Sequence, residues 1–277
     1  MKDALVVSIL SLLPRNRLAR LMGVFARTGI SAWATRLFVA FYKVNLTEAV
    51  IPKNGFKSLE HLFTRELKHG ARPIDPDPKV MVSPVDGKVA AVGITVAGKI
   101  SLGSNQTLDI AALLGRQLQE EQTVTVIYLS PQDYHRVHTP LACNATHWSY
   151  RAGTLWPVFP GAVKRVSNLF SKNERMVFSL PNNNGPLDLV MVGAFGVGRI
   201  STKLTSVITN TGTKSAEGSL APPIALTAGA ELGKFHLGST VVLISPKGRW
   251  NMTINVGDIV RLGYQIAKPF HTASPTI

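Results

Sequence analysis

The feature that most limits the fold is a change of apolar rhythm near residue 80. Before it, apolar residues recur every three or four positions. After it they come in short β-branched runs set off by glycine, at residues 80–83, 87–93, 123–130, 187–200, 241–245 and 250–256. Runs of that length and composition read as strands. Only residues 108–121 carry a helical pattern between them. Strands that do not alternate with helices argue against a parallel βαβ sheet. The expected fold is α+β: a compact, mostly antiparallel β-rich catalytic domain over residues 55–277, preceded by a helical segment over residues 1–54.

Within residues 1–49 there are seven Lys or Arg and two acids. Leu18, Leu21, Met22 and Phe25 fall at i, i+3, i+4 and i+7, with Arg17, Arg20 and Arg27 on the other side. Trp33, Leu37, Phe41 and Val44 share a second face, opposite Arg36 and Lys43. Two amphipathic helices with large apolar residues and a basic polar face fit an anionic lipid surface. The chain as a whole agrees, with a net charge of +14 over 277 residues. Basic chains meet nucleic acid or anionic membrane. Nucleic acid is disfavoured, because these basic residues sit opposite an apolar face rather than among exposed stacking aromatics. No run reaches the roughly 18 uncharged apolar residues of a spanning helix. Residues 4–14 are apolar enough for a signal peptide. Arginines at 15, 17 and 20 follow without a small-x-small cleavage site, so the segment reads as retained. The lone cysteine, Cys143, permits no internal disulfide and no multi-cysteine metal site, and reads as core. Ser58 is placed to cap a short helix through about Lys68, with Leu59, Leu62, Phe63 and Leu67 inward.

The residues with chemical potential lie in three places. Ser83-Pro-Val-Asp-Gly87 sets Asp86 between two strands, where Asp-Gly also fits a hairpin turn. Tyr134-His-Arg-Val-His138 brings two histidines three residues apart, in reach of a metal or of a proton. Leu237-Gly-Ser-Thr240 opens a strand. There a hydroxyl lies one peptide unit from the Gly238 carbonyl, and glycine offers no Cβ to obstruct attack. If a base takes the Ser239 proton, the peptide bond becomes an ester. Elimination then frees a Gly238 carboxylate and leaves dehydroalanine, which hydrolyses to a pyruvoyl group. Asp, His and Ser are the residue types of an oriented base and a nucleophile. Their spacing as Asp86, His138 and Ser239 does not by itself bring them together.

Taken together, Phe63-Thr-Arg-Glu-Leu-Lys68, Gly70-Ala-Arg-Pro73, Ser83-Pro-Val-Asp-Gly87, Asp133-Tyr-His-Arg-Val-His138, Asn168-Leu-Phe170, Asn173-Glu-Arg175 and Gly233-Lys-Phe-His-Leu-Gly-Ser-Thr240 resemble the phosphatidylserine decarboxylase family in its proenzyme form. The likeness runs from about residue 55 to about residue 262, with no departure at the catalytic positions; His236 lies at a variable place beside the last motif. The resemblance implies self-cleavage between Gly238 and Ser239. The products are a β chain of residues 1–238 and an α chain of residues 239–277 that carries a covalent pyruvoyl cofactor. It implies that Asp86 orients His138, that His138 activates Ser239, and that His135 protonates the substrate carbon. It implies a Schiff base with the amine of phosphatidylserine, with loss of carbon dioxide to give phosphatidylethanolamine in phospholipid biosynthesis. The expected partners are phosphatidylserine, the anionic membrane surface and the two chains of one precursor, with a homodimer also considered. The expected location is peripheral, on the cytoplasmic side of the cell membrane. No metal is expected. Two rivals stay open at this point: a zinc hydrolase using His135, His138 and His147, and a non-enzymatic basic membrane-binding module.

Overall fold

The chain is helical at its start and β-rich thereafter. The computed structural model describes residues 2–270 apart from 104, 197 and 237, so Leu237 lies outside the described residues. Three helices lead the chain: α1 (Lys2–Leu12), α2 (Arg15–Arg27) and α3 (Ala32–Tyr42). A short α4 (Leu59–Phe63) follows, and its Ser58 cap accepts a hydrogen bond from the His61 N–H at 3.1 Å. No helix among the described residues is long and apolar enough to cross a membrane.

The remainder is β-rich and antiparallel. An eight-stranded sheet runs in the order β11 (Ala216–Leu226), β7 (Cys143–Arg151), β8 (Arg175–Ser179), β9 (Asp188–Gly193), β13 (Ser239–Pro246), β5 (Gln122–Leu129), β2 (Gly87–Ile94) and β15 (Ile259–Val260). Two small sheets flank it. One is β1 (Met81–Val82), β16 (Gln265–Pro269) and β14 (Trp250–Met252). The other is β10 (Ile200–Thr202), β12 (Glu231–Phe235) and β6 (Arg136–His138). A ribbon of β3 (Lys99–Ser101) and β4 (Thr107–Asp109) completes the set.

Both faces of the large sheet are covered, which is why β13 is apolar at successive positions rather than alternate ones. Val241 and Leu243 join one core with Val137, Leu232 and Phe235. Val242 and Ile244 join the other, with Leu113 and Phe170. That second core is roofed by α5 (Ile110–Leu114), α6 (Pro160–Val163) and α7 (Leu169–Lys172). Arg175 ties the roof down. Its guanidinium donates to the carbonyls of Ala112, Leu113, Ser171 and Asn173 at 2.6–3.0 Å, and burial lowers its pKa to about 10.

Four expectations change. The helix expected through about Lys68 ends at Phe63 and buries only Leu62 and Phe63 of its four expected inward residues. The helix expected over residues 108–121 is only α5, because Gly115 caps it in the left-handed region at φ 72°. The run at 187–200 is not one strand: it leaves the large sheet at Gly193 and enters a different sheet at Ile200. Asp86-Gly87 is not a hairpin turn, because β1 and β2 belong to different sheets. Glycine at 87 answers a close approach instead, since a Cβ there would lie 2.6 Å from the Tyr128 carbonyl oxygen.

Candidate active site

Gly238 lies between β12 in a small sheet and β13 in the large one. The chain turns that corner with Gly238 at φ 65°, a left-handed conformation that costs an L-residue about 1–2 kcal/mol. Ser239 is the next residue and opens β13, in register with Leu129 of β5 and Gly193 of β9. It is fully buried, and its Oγ has no hydrogen-bond partner. A buried hydroxyl without a partner costs about 1–3 kcal/mol. Strand alternation puts Ser239 on the face of Val241 and Leu243, the core shared with Val137 of β6 and Phe235 of β12.

His135 directly precedes β6, and His138 is its last residue. His135 is fully buried, with its ring centroid 4.1 Å from that of Phe63. Its carbonyl accepts from the Phe235 N–H at 3.0 Å, four residues before Ser239. Its Nδ1 meets the Asp133 carbonyl at 2.8 Å, and a carbonyl only accepts, so Nδ1 carries the proton. Nε2 is buried without a partner, and burial pushes the imidazole pKa down to about 3. His138 has the same tautomer. Its Nδ1–H donates to the Gly229 carbonyl at 2.8 Å, and the Tyr134 O–H faces Nε2 at 3.2 Å. Burial lowers its pKa as well. Both rings are therefore neutral at pH 7 with Nε2 unprotonated, the form that accepts a proton.

Asp86 stands one link away. Its carboxylate receives three contacts from the Arg72 guanidinium at 2.6–3.1 Å and one from the Leu262 N–H at 2.9 Å. Arg72 also pairs with Glu48 at 2.9 Å. The hydrogen bonds it donates to Asp86 are the main reason the Arg72 pKa is raised. The His138 N–H donates to the Pro84 carbonyl at 2.9 Å, so the 83–87 segment that Asp86 fixes touches His138 through the backbone. The hydrogen bond that sets the His138 tautomer comes from Gly229, not from Asp86. His147 is in β7, opposite Ser219 and Ser179. Among the described residues no three His, Cys, Asp or Glu side chains converge as a metal site requires.

Sequence reading assigned no role to His236. Its Nδ1 meets the Glu60 carboxylate, and its Nε2 meets Ser201 Oγ at 2.9 Å. Its N–H donates to the Arg199 carbonyl at 2.9 Å. These bonds pin the chain two residues before Gly238. Glu60 lies in the N-terminal half and Ser201 in an unremarkable strand, so no local pattern marks the trio. A second feature is a cavity of about 260 Å³ between the end of α3 and the 132–134 loop, with Lys43, Arg65, Arg72, Asp86, Asp133 and Tyr134 in its wall.

Residues 59–268 match the family model for phosphatidylserine decarboxylase. The chain belongs to the phosphatidylserine decarboxylase family. It is thus an enzyme of the decarboxylase class, and the family stretch spans Asp86, His135, His138 and Ser239. It is 35% identical to a phosphatidylserine decarboxylase proenzyme of Myxococcus xanthus (strain DK1622) over 276 residues, 96% of this chain and 99% of that relative. It is 36% identical to one of Saccharophagus degradans, covering 97% and 98% of the two chains. A Shewanella amazonensis proenzyme is 36% identical over 88% of this chain and 90% of its own length.

Proposed function

We propose that this chain is a self-processing phosphatidylserine decarboxylase that works at the membrane surface and yields phosphatidylethanolamine. The observation that carries the reading is the buried, unpartnered Ser239 hydroxyl directly after a left-handed Gly238. That hydroxyl is dry and next to the carbonyl it must attack. Ser239 Oγ attacks the Gly238 carbonyl carbon, the peptide C–N bond breaks, and an ester with a free amine at 239 results. Loss of the Ser239 Cα proton expels the Gly238 carboxylate from Cβ and leaves dehydroalanine. Its hydrolysis releases ammonia and leaves a pyruvoyl group on a 239–277 α chain beside a 1–238 β chain.

His138, its Nδ1–H held by the Gly229 carbonyl and its unprotonated Nε2 met by the Tyr134 O–H, is the base for the first step. Asp86 is a positioning residue that holds the 83–87 segment against the His138 backbone. The site fits the prosthetic group: residue 239 is buried on a central strand, away from water that would compete. A pyruvoyl group there supplies the electron sink that decarboxylation of an amino-acid headgroup needs. The chain's own part is to position and protonate. His135 is neutral in the uncut chain, so it takes up a proton at Nε2 before it can deliver one to the substrate carbon. Lys43, Arg65 and Arg72 in the neighbouring cavity suit the negative charge of the phosphodiester. Intact-mass measurement of purified protein tests the reading. The expected result is two species divided at Gly238–Ser239, and a single uncut species with full decarboxylase activity overturns it.

The membrane part rests on how the first helices face. α2 packs inward through its small residues Ala19, Gly23 and Ala26, and leaves Leu21 68% exposed with Met22 and Phe25. On α3, Trp33, Leu37 and Phe41 are 63%, 61% and 78% exposed. Large apolar residues turned outward beside arginines suit peripheral attachment to anionic lipid, on the cytoplasmic side of the cell membrane. Replacing Leu37 and Phe41 by serine removes two side chains worth about 1.5–3 kcal/mol each on burial. Vesicle flotation of the double variant should therefore fall by a factor of about 100 or more. Unchanged flotation shows that these helices do not dock.

A further inference from the structure

A cavity of about 180 Å³ lies between α2 and the start of β10, apart from the candidate active site. Arg20, Gly23, Val24 and Arg27 wall it on one side, at i, i+3, i+4 and i+7 of α2, and Arg199 and Thr211 wall it on the other. Three guanidiniums thus meet around one space. The carboxylate that pairs with two of them is Glu60, at 3.9 Å from Arg27 and 3.5 Å from Arg199. Both separations exceed the 2.7–2.9 Å of a charge-assisted hydrogen bond. Glu60 is also committed to His236. The Nε of Arg199 is buried with no hydrogen-bond partner. The next acid, Glu174, is only partly ionised near neutral pH, since burial pushes its pKa up to about 7 against the pull of Arg20. Cationic charge here exceeds its internal compensation, and arginine forks are built to take planar pairs of oxygens.

We propose that this cavity binds a phosphate-ester anion, held between Arg20, Arg27 and Arg199. The exposed apolar residues of the same helix, Leu21, Met22 and Phe25, would set the cavity at headgroup depth, which makes a lipid phosphodiester its natural source. That assignment of source rests on the membrane-docking reading; the anion site itself does not. Its wall shares no residue with the cavity that holds Lys43, Arg65 and Arg72, so this is a second site for phosphate chemistry. Through Glu60 and His236 it adjoins the chain two residues before the scissile bond.

The test titrates the full-length protein with inorganic phosphate by calorimetry and, separately, floats it with vesicles of phosphatidylglycerol in phosphatidylcholine. Arg27→Gln and Arg199→Gln each remove a fork from the cavity, and Lys99→Gln removes one positive charge from an exposed place on β3, away from the first helices. Saturable phosphate binding is expected, weakened about tenfold by each cavity variant and unchanged by Lys99→Gln. The same ranking on vesicles identifies the lipid phosphodiester as occupant. The ranking with free phosphate alone identifies a soluble phosphate ester. Equal loss in all three variants, or no saturable phosphate binding, overturns the site. Arg27 is partly exposed at 41% and its contact with Glu60 is long, at 3.9 Å, so it decides the matter if Arg199→Gln does not fold. Chain cleavage read on the same samples reports the processing mechanism separately.

Discussion

Ser239→Ala should remain a single 277-residue chain and release no carbon dioxide from phosphatidylserine. The nucleophile that begins cleavage is gone, and with it the precursor of the carbonyl that decarboxylation requires. The variant should be at least as stable as the parent. Ser239 Oγ makes no hydrogen bond, so its removal takes away a desolvated hydroxyl worth about 1–3 kcal/mol and leaves no partner unpaired. A melting temperature equal to or above that of a parent held uncut by other means separates lost chemistry from lost fold. Ser239→Cys should cut slowly, because a thiolate also attacks carbonyls. If Ser239→Ala is cut at the same bond, the Oγ-attack mechanism is wrong.

Much of this arrangement was legible beforehand, for physical reasons. The β-branched apolar run from Val241 to Ile244 read as a strand, and it lies within β13. Arg-lined apolar helices pointed to an outward apolar face, and the small residues Ala19, Gly23 and Ala26 are what allow it. Other parts were not legible because they depend on distant pairing. β11 contains two prolines and is mostly exposed, features that argue against a strand, yet an edge position beside β7 tolerates them. The turn after Gly193 looked like continued strand, because β-branched composition says nothing of which sheet receives it. At the site, residue types named Asp86, His138 and Ser239. Composition could not reveal that Arg72 holds Asp86 or that a carbonyl orients His138.

The two histidines should separate processing from turnover. His138→Ala should accumulate as uncut chain, with processing slowed by the 10²- to 10⁴-fold that a general base typically contributes. Asp86→Ala should slow it too, by loosening the segment that carries Pro84. His135→Ala should cut at Gly238 and then release little carbon dioxide. Removing a fully buried ring beside Phe63 leaves a cavity. His135→Asn keeps a donor for Asp133 and serves as the folded counterpart. Gel analysis and carbon dioxide release on each variant are the paired measurements. The pH profile adds an independent check. Because burial lowers the His138 pKa, its base form survives below the ordinary imidazole value of 6.5. Cleavage should therefore persist under mild acid and fail only as pH falls through that lowered pKa. A cleavage rate that halves at 6.5 or above removes His138 as the base, and normal cutting with normal turnover in both variants removes both histidines.

The central place of β13 decides what becomes of the molecule once it is cut. Its strand lies between β9 and β5, β16 lies beside β1, and β15 beside β2, so each of these C-terminal strands is bonded to a strand from before Gly238. Scission would leave two polypeptides interleaved as one body, with nothing to separate at the surface. Their history, however, would become one-way. A precursor that unfolds can find its native state alone, at a rate independent of dilution. A matured molecule that unfolds sheds its middle strand as a separate short peptide, and recovery then requires two molecules to meet. Maturation would thus turn a reversible fold into one guarded by its unfolding rate alone.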